Sequence, residues 1–397
     1  MPTPCIPHAE VPLGQAILTC PPPLPPQIPA RLLMGPGPSN AYPRVLNAMA
    51  YPLLGHLHPP ILKIMDECQE GLRYLFQTES KYTCLISGTG HAGMEACLQN
   101  SLERGETLLV GSAGIWGTRI ADMGNRMGFN TVEMVADEAT SFDKGTIKAH
   151  LEKHRPAVLF LCQGESSTGV HQSLEGLGDL CHEYGTLLAV DTVCSLGGVP
   201  MFADEWGVDI IYSGSQKCLS GPSGAAPFFM SERAMAKLQA RQTPVQSFML
   251  DAKLFGDYWG WFDKRSYHHT GVISTFYAMR EALAIVSGEG MEQMWKRHED
   301  MHQMLWEGLT KMGLKPYVEN PAERLATVNT IRVPEGVDFA KVIGNAMEKY
   351  SVEIAGGLGP SAGKVWRIGV MGANARPAAV QMALTAMEDG LKQQKFL

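Results

Sequence analysis

Residues 82–102 read YTCLISGTGHAGMEACLQNSL: an apolar run, a loop of glycines and small residues, then a helix-like stretch. The same three-part unit recurs along the chain. TLLV (107–110) leads into GSAGIWG, AVLFLC (157–162) into QGESSTG, TLLAVD (186–191) into TVCSLGG, and VDIIY (208–212) into SGSQKCLSGPSG. Short continuous apolar runs that alternate with helices predict an α/β fold, with a buried, mostly parallel central sheet and helices on both faces. In such sheets ligands collect beyond the carboxyl ends of the strands. Every distinctive loop here follows a strand, so the loops should converge on one site.

The 397 residues suffice for two ordinary domains with a large core. SGEG (287–290) ends one helix-like segment, and MEQMWKRHEDMHQMLWEGLTKMG (291–313) reads as a new helix. We therefore expect a proline-rich arm over 1–31, a large domain over 32–289 and a smaller C-terminal α/β domain over 290–397. Ten of the 26 prolines lie in the first 30 residues, where they exclude helix and favour extended backbone. That stretch lacks arginine and carries Glu10, so it makes a poor transit peptide; a tail and an arm laid across a partner subunit both fit it. At 45% apolar and 18% charged, the composition is that of a globular chain, and a net charge of −7 offers no footprint for nucleic acid. No apolar run reaches bilayer-spanning length. The nine cysteines are odd in number and scattered without a C-x-x-C, which points to reduced, buried thiols in an intracellular protein.

The loops carry the chemistry. Gly88-x-Gly90-x-x-Gly93 matches a dinucleotide fingerprint, but the next strand ends LLVGSAG without the acid that would hold a ribose. Two readings remain: backbone N–H groups at a helix N-terminus holding one phosphate, or a plain tight turn. Asp191 closes a buried strand, where a carboxylate is costly unless something cationic meets it. Lys217 lies one strand further on, among Ser213, Gly214, Ser215, Ser220 and Gly221, with no acid within four positions. A direct ion pair would satisfy both charges. Pyridoxal phosphate would explain more, since it needs a lysine for its Schiff base, an acid against its ring nitrogen and a phosphate cradle.

LMGPGPSN (33–40), SGTGHAGMEA, GIWG (114–117), GESSTGV (164–170), VDTVCSLGG (190–198), YSGSQKCL (212–219), YHHT (267–270) and GGLGPSAGKVWRIGVMG (356–372) occur in one order. Together they resemble the alanine–glyoxylate (serine–pyruvate) aminotransferases, class-V pyridoxal phosphate enzymes of fold type I, from about residue 31 onward. The resemblance implies that Lys217 is the Schiff-base lysine and the base that moves the substrate α-proton, and that Asp191 is the partner of the ring nitrogen. It implies further that Trp116 stacks on the ring, that Ser166 meets the phenolic oxygen, and that Gly90, His91 and Gln216 hold the phosphate. Tyr267 and Thr270 of a neighbouring subunit would complete that cradle, which requires a homodimer. Arg367 would grip the carboxylate of small amino acids and 2-oxo acids.

The implied reaction is ping-pong transamination from L-alanine to glyoxylate, with L-serine as a second donor; 3-hydroxykynurenine transaminase and serine–glyoxylate aminotransferase are alternatives of the same fold. Gly55-His56-Leu57-His58 departs from the family's usual forms near the substrate entrance, which leaves the donor open. A cysteine desulfurase would need a nucleophilic cysteine well after the lysine, and none occurs beyond Cys218. A zinc site at His56, His58, His268 or His269 lacks any ligand-spacing motif, so no metal is expected. Cys218 adjoins Lys217, and its alkylation should slow the enzyme. The ending Lys395-Phe396-Leu397 is a degenerate form of a peroxisomal signal, so peroxisome and cytosol are both expected locations, ahead of the mitochondrion.

Overall fold

A computed structural model describes residues 28–397; the proline-rich stretch before them, with its reading as tail or arm, lies outside the described residues. Within Leu32–Leu397 the central sheet is built from β1 (Thr83–Ser87), β2 (Thr107–Ser112), β3 (Asn130–Val135), β4 (Val158–Cys162), β5 (Leu187–Asp191), β6 (Ile210–Tyr212) and β7 (Ala225–Met230). Their spatial order is β1-β7-β6-β5-β4-β2-β3. Strand β7 runs antiparallel to β1 and β6, while the other pairs are parallel. Each apolar run singled out in the sequence is a strand, shifted by no more than two residues. Strands β4, β5 and β6 are buried at every position, as expected for a sheet covered on both faces. Edge strand β3 is partly exposed. Its NTVEMV mixes polar and apolar residues, and periodicity alone does not mark it.

Helix α1 (Pro59–Phe76) precedes the sheet, and α2 (Gly90–Ser101) and α3 (Ile115–Met127) follow β1 and β2. Gly93 lets α2 lie against β6, since a Cβ there would stand 2.9 Å from that of Tyr212. Helices α4 (Ile273–Glu289) and α5 (Met291–Lys311) meet at Gly290, so the SGEG break falls where expected.

The C-terminal part holds β8 (Val328–Arg332), β9 (Ala355–Gly356) and β10 (Val365–Gly369), an antiparallel sheet in the order β8-β10-β9. Helices α6 (Phe339–Tyr350) and α7 (Pro377–Gln393) complete it. Two large hydrophobic clusters dominate the described residues. The larger surrounds the seven-stranded sheet; the second joins Leu305, Leu309, Ile331, Trp366, Ile368 and Met387, and takes in Met34 from the other end of the chain. Leu32 and Leu33 pair in parallel with Val352 and Glu353, which brings the LMGPGPSN segment beside β10. Among the described residues, seven cysteines are free and buried, and no helix is long and apolar enough to cross a membrane.

Candidate active site

Strand β5 is apolar until its last residue, and the sheet buries that residue too: Asp191 is 3% exposed. Its Oδ1 accepts from the Val193 backbone N–H at 2.7 Å and its Oδ2 from the Tyr212 hydroxyl at 2.6 Å. Burial pushes its carboxyl up to about 6, against the opposing pull of those two bonds and of Lys217. Strand β6 pairs with β5, setting Tyr212 beside Asp191, and the loop after β6 carries Lys217. Both groups line one cavity of about 110 Å³, together with Gly90, His91, Trp116, Ser166, Cys194, Tyr212 and Gln216.

Burial pulls the Lys217 amine below its ordinary range, with nearby Asp191 opposing. Its Nζ donates to the Pro36 carbonyl, 181 positions away in the chain. Gly37 has φ +114°, and a Cβ on it would collide with the lysine side chain, so only glycine suits this position. Ser39 fastens the same segment: its N–H donates to the Gln216 carbonyl at 2.8 Å and its hydroxyl to the Lys217 carbonyl at 2.6 Å. Gly369 N–H then donates to the Met34 carbonyl at 2.7 Å, tying the segment to β10.

On the other side of the cavity, helix α2 begins at Gly90 with no side chain capping its first turn. Such an end attracts an anion. The buried Gln216 Oε1 has no hydrogen-bond partner. His91 lies edge-on to Trp116, with ring centres 5.6 Å apart, and approaches Arg119 Nη1 at 3.3 Å. Trp116 Nε1 donates to Ser166 Oγ at 2.7 Å. Arg367, on β10 and 7% exposed, donates from Nε to the Gly356 carbonyl at 2.7 Å and from Nη1 to the Ser166 carbonyl at 2.9 Å. These bonds use only part of the guanidinium fork and leave further donors for a carboxylate.

The structure thus gathers Lys217, Asp191, Gly90, His91, Trp116, Ser166 and Gln216 around one cavity, with Arg367 bonded to its wall. Tyr267 and Thr270 do not line it: both are exposed, their hydroxyls 3.4 Å apart, and Tyr267 packs on His56. The residues present fit pyridoxal phosphate. An uncapped helix start suits the phosphate, a carboxyl and an amine line the cavity, and an indole forms part of its wall.

Sequence reading missed two buried groups here. Tyr212 is hidden in the apolar run VDIIY, where its hydroxyl has no local partner. Glu165, 1% exposed, precedes the serine that was singled out; burial pushes its carboxyl up to about 7. The expectation for Cys218 is corrected. The residue is 1% exposed, burial pushes its thiol up to about 12, and Cys194 rather than Cys218 lines the cavity. A neutral, inaccessible thiol resists alkylation. Among the described residues no group of three or more His, Cys, Asp or Glu is placed to hold a metal ion.

The sequence matches the model of the class-V aminotransferase family over residues 33–373. It is 46% identical to the alanine–glyoxylate aminotransferase of Drosophila melanogaster over 95% of this chain and 97% of that protein. The crystal structure of an alanine–glyoxylate aminotransferase from Nostoc sp. superposes with a TM-score of 0.91 at 48% identity, covering 93% of this chain and 97% of the other. A ureidoglycine–glyoxylate aminotransferase from Bacillus subtilis superposes with a TM-score of 0.90 at 34% identity, over 93% and 95% of the two chains. With that coverage and this cavity, the chain belongs to the class-V aminotransferase family, pyridoxal phosphate-dependent transaminases of fold type I.

Proposed function

We propose that this transaminase moves the amino group of L-alanine to glyoxylate, giving pyruvate and glycine, with L-serine as a second donor. The observation that carries the reading is similarity across nearly the whole chain to alanine–glyoxylate aminotransferases of an insect and a cyanobacterium.

Each residue then has a task that its surroundings support. Lys217 carries the cofactor and, as an amine that burial favours in its neutral form, takes up the substrate α-proton and returns it. Asp191 would be the acid partner of the ring nitrogen, whose positive charge would offset the cost of burying the carboxylate. Gly90 and His91 at the start of α2, with Gln216, would hold the phosphate, Trp116 would stack on the ring and Ser166 would bond its phenolic oxygen. Arg367 clamps the carboxylate shared by amino and 2-oxo acids, so both half-reactions use one grip. Pyridoxal phosphate supplies the electron sink at the substrate α-carbon. The partner subunit's Tyr267 and Thr270 complete the phosphate site in a homodimer, an arrangement supported by their exposure away from their own chain's cavity. Residues 32–289 and 290–397 act as large and small domains, and the enzyme resides in the peroxisome or cytosol.

The test is a half-reaction followed by visible absorbance. L-alanine should convert the bound cofactor to its amine form, and glyoxylate should restore the original band. Faster conversion by 3-hydroxykynurenine, or no conversion by alanine, would overturn the substrate assignment while leaving the transaminase intact.

A further inference from the structure

Helix α3 begins without a cap of its own. Its N-cap is Gly114, which has no side chain to offer. The missing acceptors come from the 165–167 segment, fifty positions later. Glu165 Oε2 accepts from the Trp116 N–H at 3.1 Å, and Ser167 Oγ accepts from the Ile115 N–H at 3.1 Å. Glu165 Oε1 in turn accepts from the Ser167 N–H at 2.9 Å and from its hydroxyl at 2.6 Å. The approach is close: a Cβ on Gly114 would lie 2.5 Å from Glu165 Cγ and Cδ. Between the two capping residues, Ser166 accepts from the Trp116 indole through Oγ and from Arg367 through its carbonyl. Glu165 and Ser166 therefore hold Trp116 by main chain and side chain, Ser167 holds its neighbour Ile115, and Ser166 also holds the guanidinium of Arg367.

We propose that Glu165 is a positioning residue of this active site, holding Trp116 in place and, through the Ser166 it adjoins, the guanidinium of Arg367. The inference rests on the reading that Trp116 covers the cofactor and Arg367 binds the substrate carboxylate. Glu165 does not line the cavity, so its influence passes through the residues it fastens. All three hydrogen bonds to it are donated by its partners, which suits a carboxylate and not an amide. The start of α3 also favours a negative charge at this point. In Glu165→Gln one oxygen can still serve Ser167, but the NH₂ group is then opposed to the Trp116 N–H, and the bond that fixes the Trp116 main chain is lost.

The experiment is a double-mutant cycle on the holoenzyme, reading the dissociation constant of pyridoxal phosphate, the induced circular dichroism of the bound cofactor, and KM against kcat for L-alanine. Glu165→Gln is expected to weaken cofactor binding by about tenfold, to diminish the dichroism, and to raise KM more than it lowers kcat. In a Trp116→Ala background the same change should add less than about twofold, because the group it acts through is gone. Unchanged cofactor binding and dichroism in Glu165→Gln, or effects that simply add, would overturn the proposal. If Glu165→Gln does not fold, Ser167→Ala carries the test: it should weaken cofactor binding several-fold, and wild-type binding in it overturns the proposal. Wild-type cofactor binding in Trp116→Ala alone would instead refute the role of Trp116 on which the inference rests.

Discussion

Replacing Tyr212 by phenylalanine removes one hydroxyl from the interior and should reveal how Asp191 is kept ionised. The carboxyl titrates near 6 where the ordinary value is 3.8, so burying its charge in the cofactor-free protein costs about 3 kcal/mol. Because the folded value is the higher one, the unfolded chain gives up its proton first. Stability therefore falls as pH climbs from about 4 to about 6, and the loss is complete above that window. The Tyr212 hydroxyl, 2.6 Å from Oδ2, opposes this by stabilising the charged form. A buried bond to a charged acceptor contributes roughly 1.5–3 kcal/mol. Because the neutral acid keeps about 1 kcal/mol of the same bond, Tyr212→Phe should raise the carboxyl by about one further unit, worth about 1.4 kcal/mol, and extend the window upward. Urea unfolding of the cofactor-free protein at pH 5 and pH 8 separates the outcomes. The variant should lose about 1.5–3 kcal/mol at pH 8 and about 1 kcal/mol at pH 5, where the carboxyl is largely protonated in both proteins. Equal losses at the two pH values would mean that the bond is indifferent to the charge on Asp191 and does not hold it ionised.

Other substitutions address the remaining groups. Lys217→Ala should fold with a melting temperature near that of the parent yet lose at least about 10⁴-fold in kcat; appreciable turnover would remove Lys217 from its proposed role. Arg367→Lys keeps the charge but not the fork, and KM for both alanine and glyoxylate should rise roughly tenfold or more in steady-state kinetics. Iodoacetamide applied to the folded protein should leave Cys218 unlabelled by mass spectrometry and activity unchanged over the same period; rapid labelling in native buffer would contradict its burial.

Much of the site is legible in the sequence because its parts are loops that follow strands. A buried parallel strand must be apolar along its whole length, so an Asp191 at its end is conspicuous. A lysine amid small residues is equally so. The same logic finds β4, β5 and β6 but passes over β3, whose edge position relaxes the demand for apolar residues. It also misreads Cys218. Adjacency to Lys217 suggests accessibility, whereas the thiol packs into the core with its Sγ near the Cys194 carbonyl.

The α/β order, the break at Gly290, and the amine, acid and helix start that a pyridoxal phosphate site requires follow from local rules of burial and backbone geometry, so the residues alone announce them. What surrounds them depends on how the chain packs in three dimensions. That Pro36 accepts from Lys217, that Gly37 has no room for a side chain, that Glu165 caps a helix fifty residues before it, and that Arg367 reaches Ser166 are contacts between distant parts of the chain. No residue pattern near any of them announces its partner. They arise where the packing of the two large hydrophobic clusters brings loop ends together, and the buried polar groups left there must find each other in place of water.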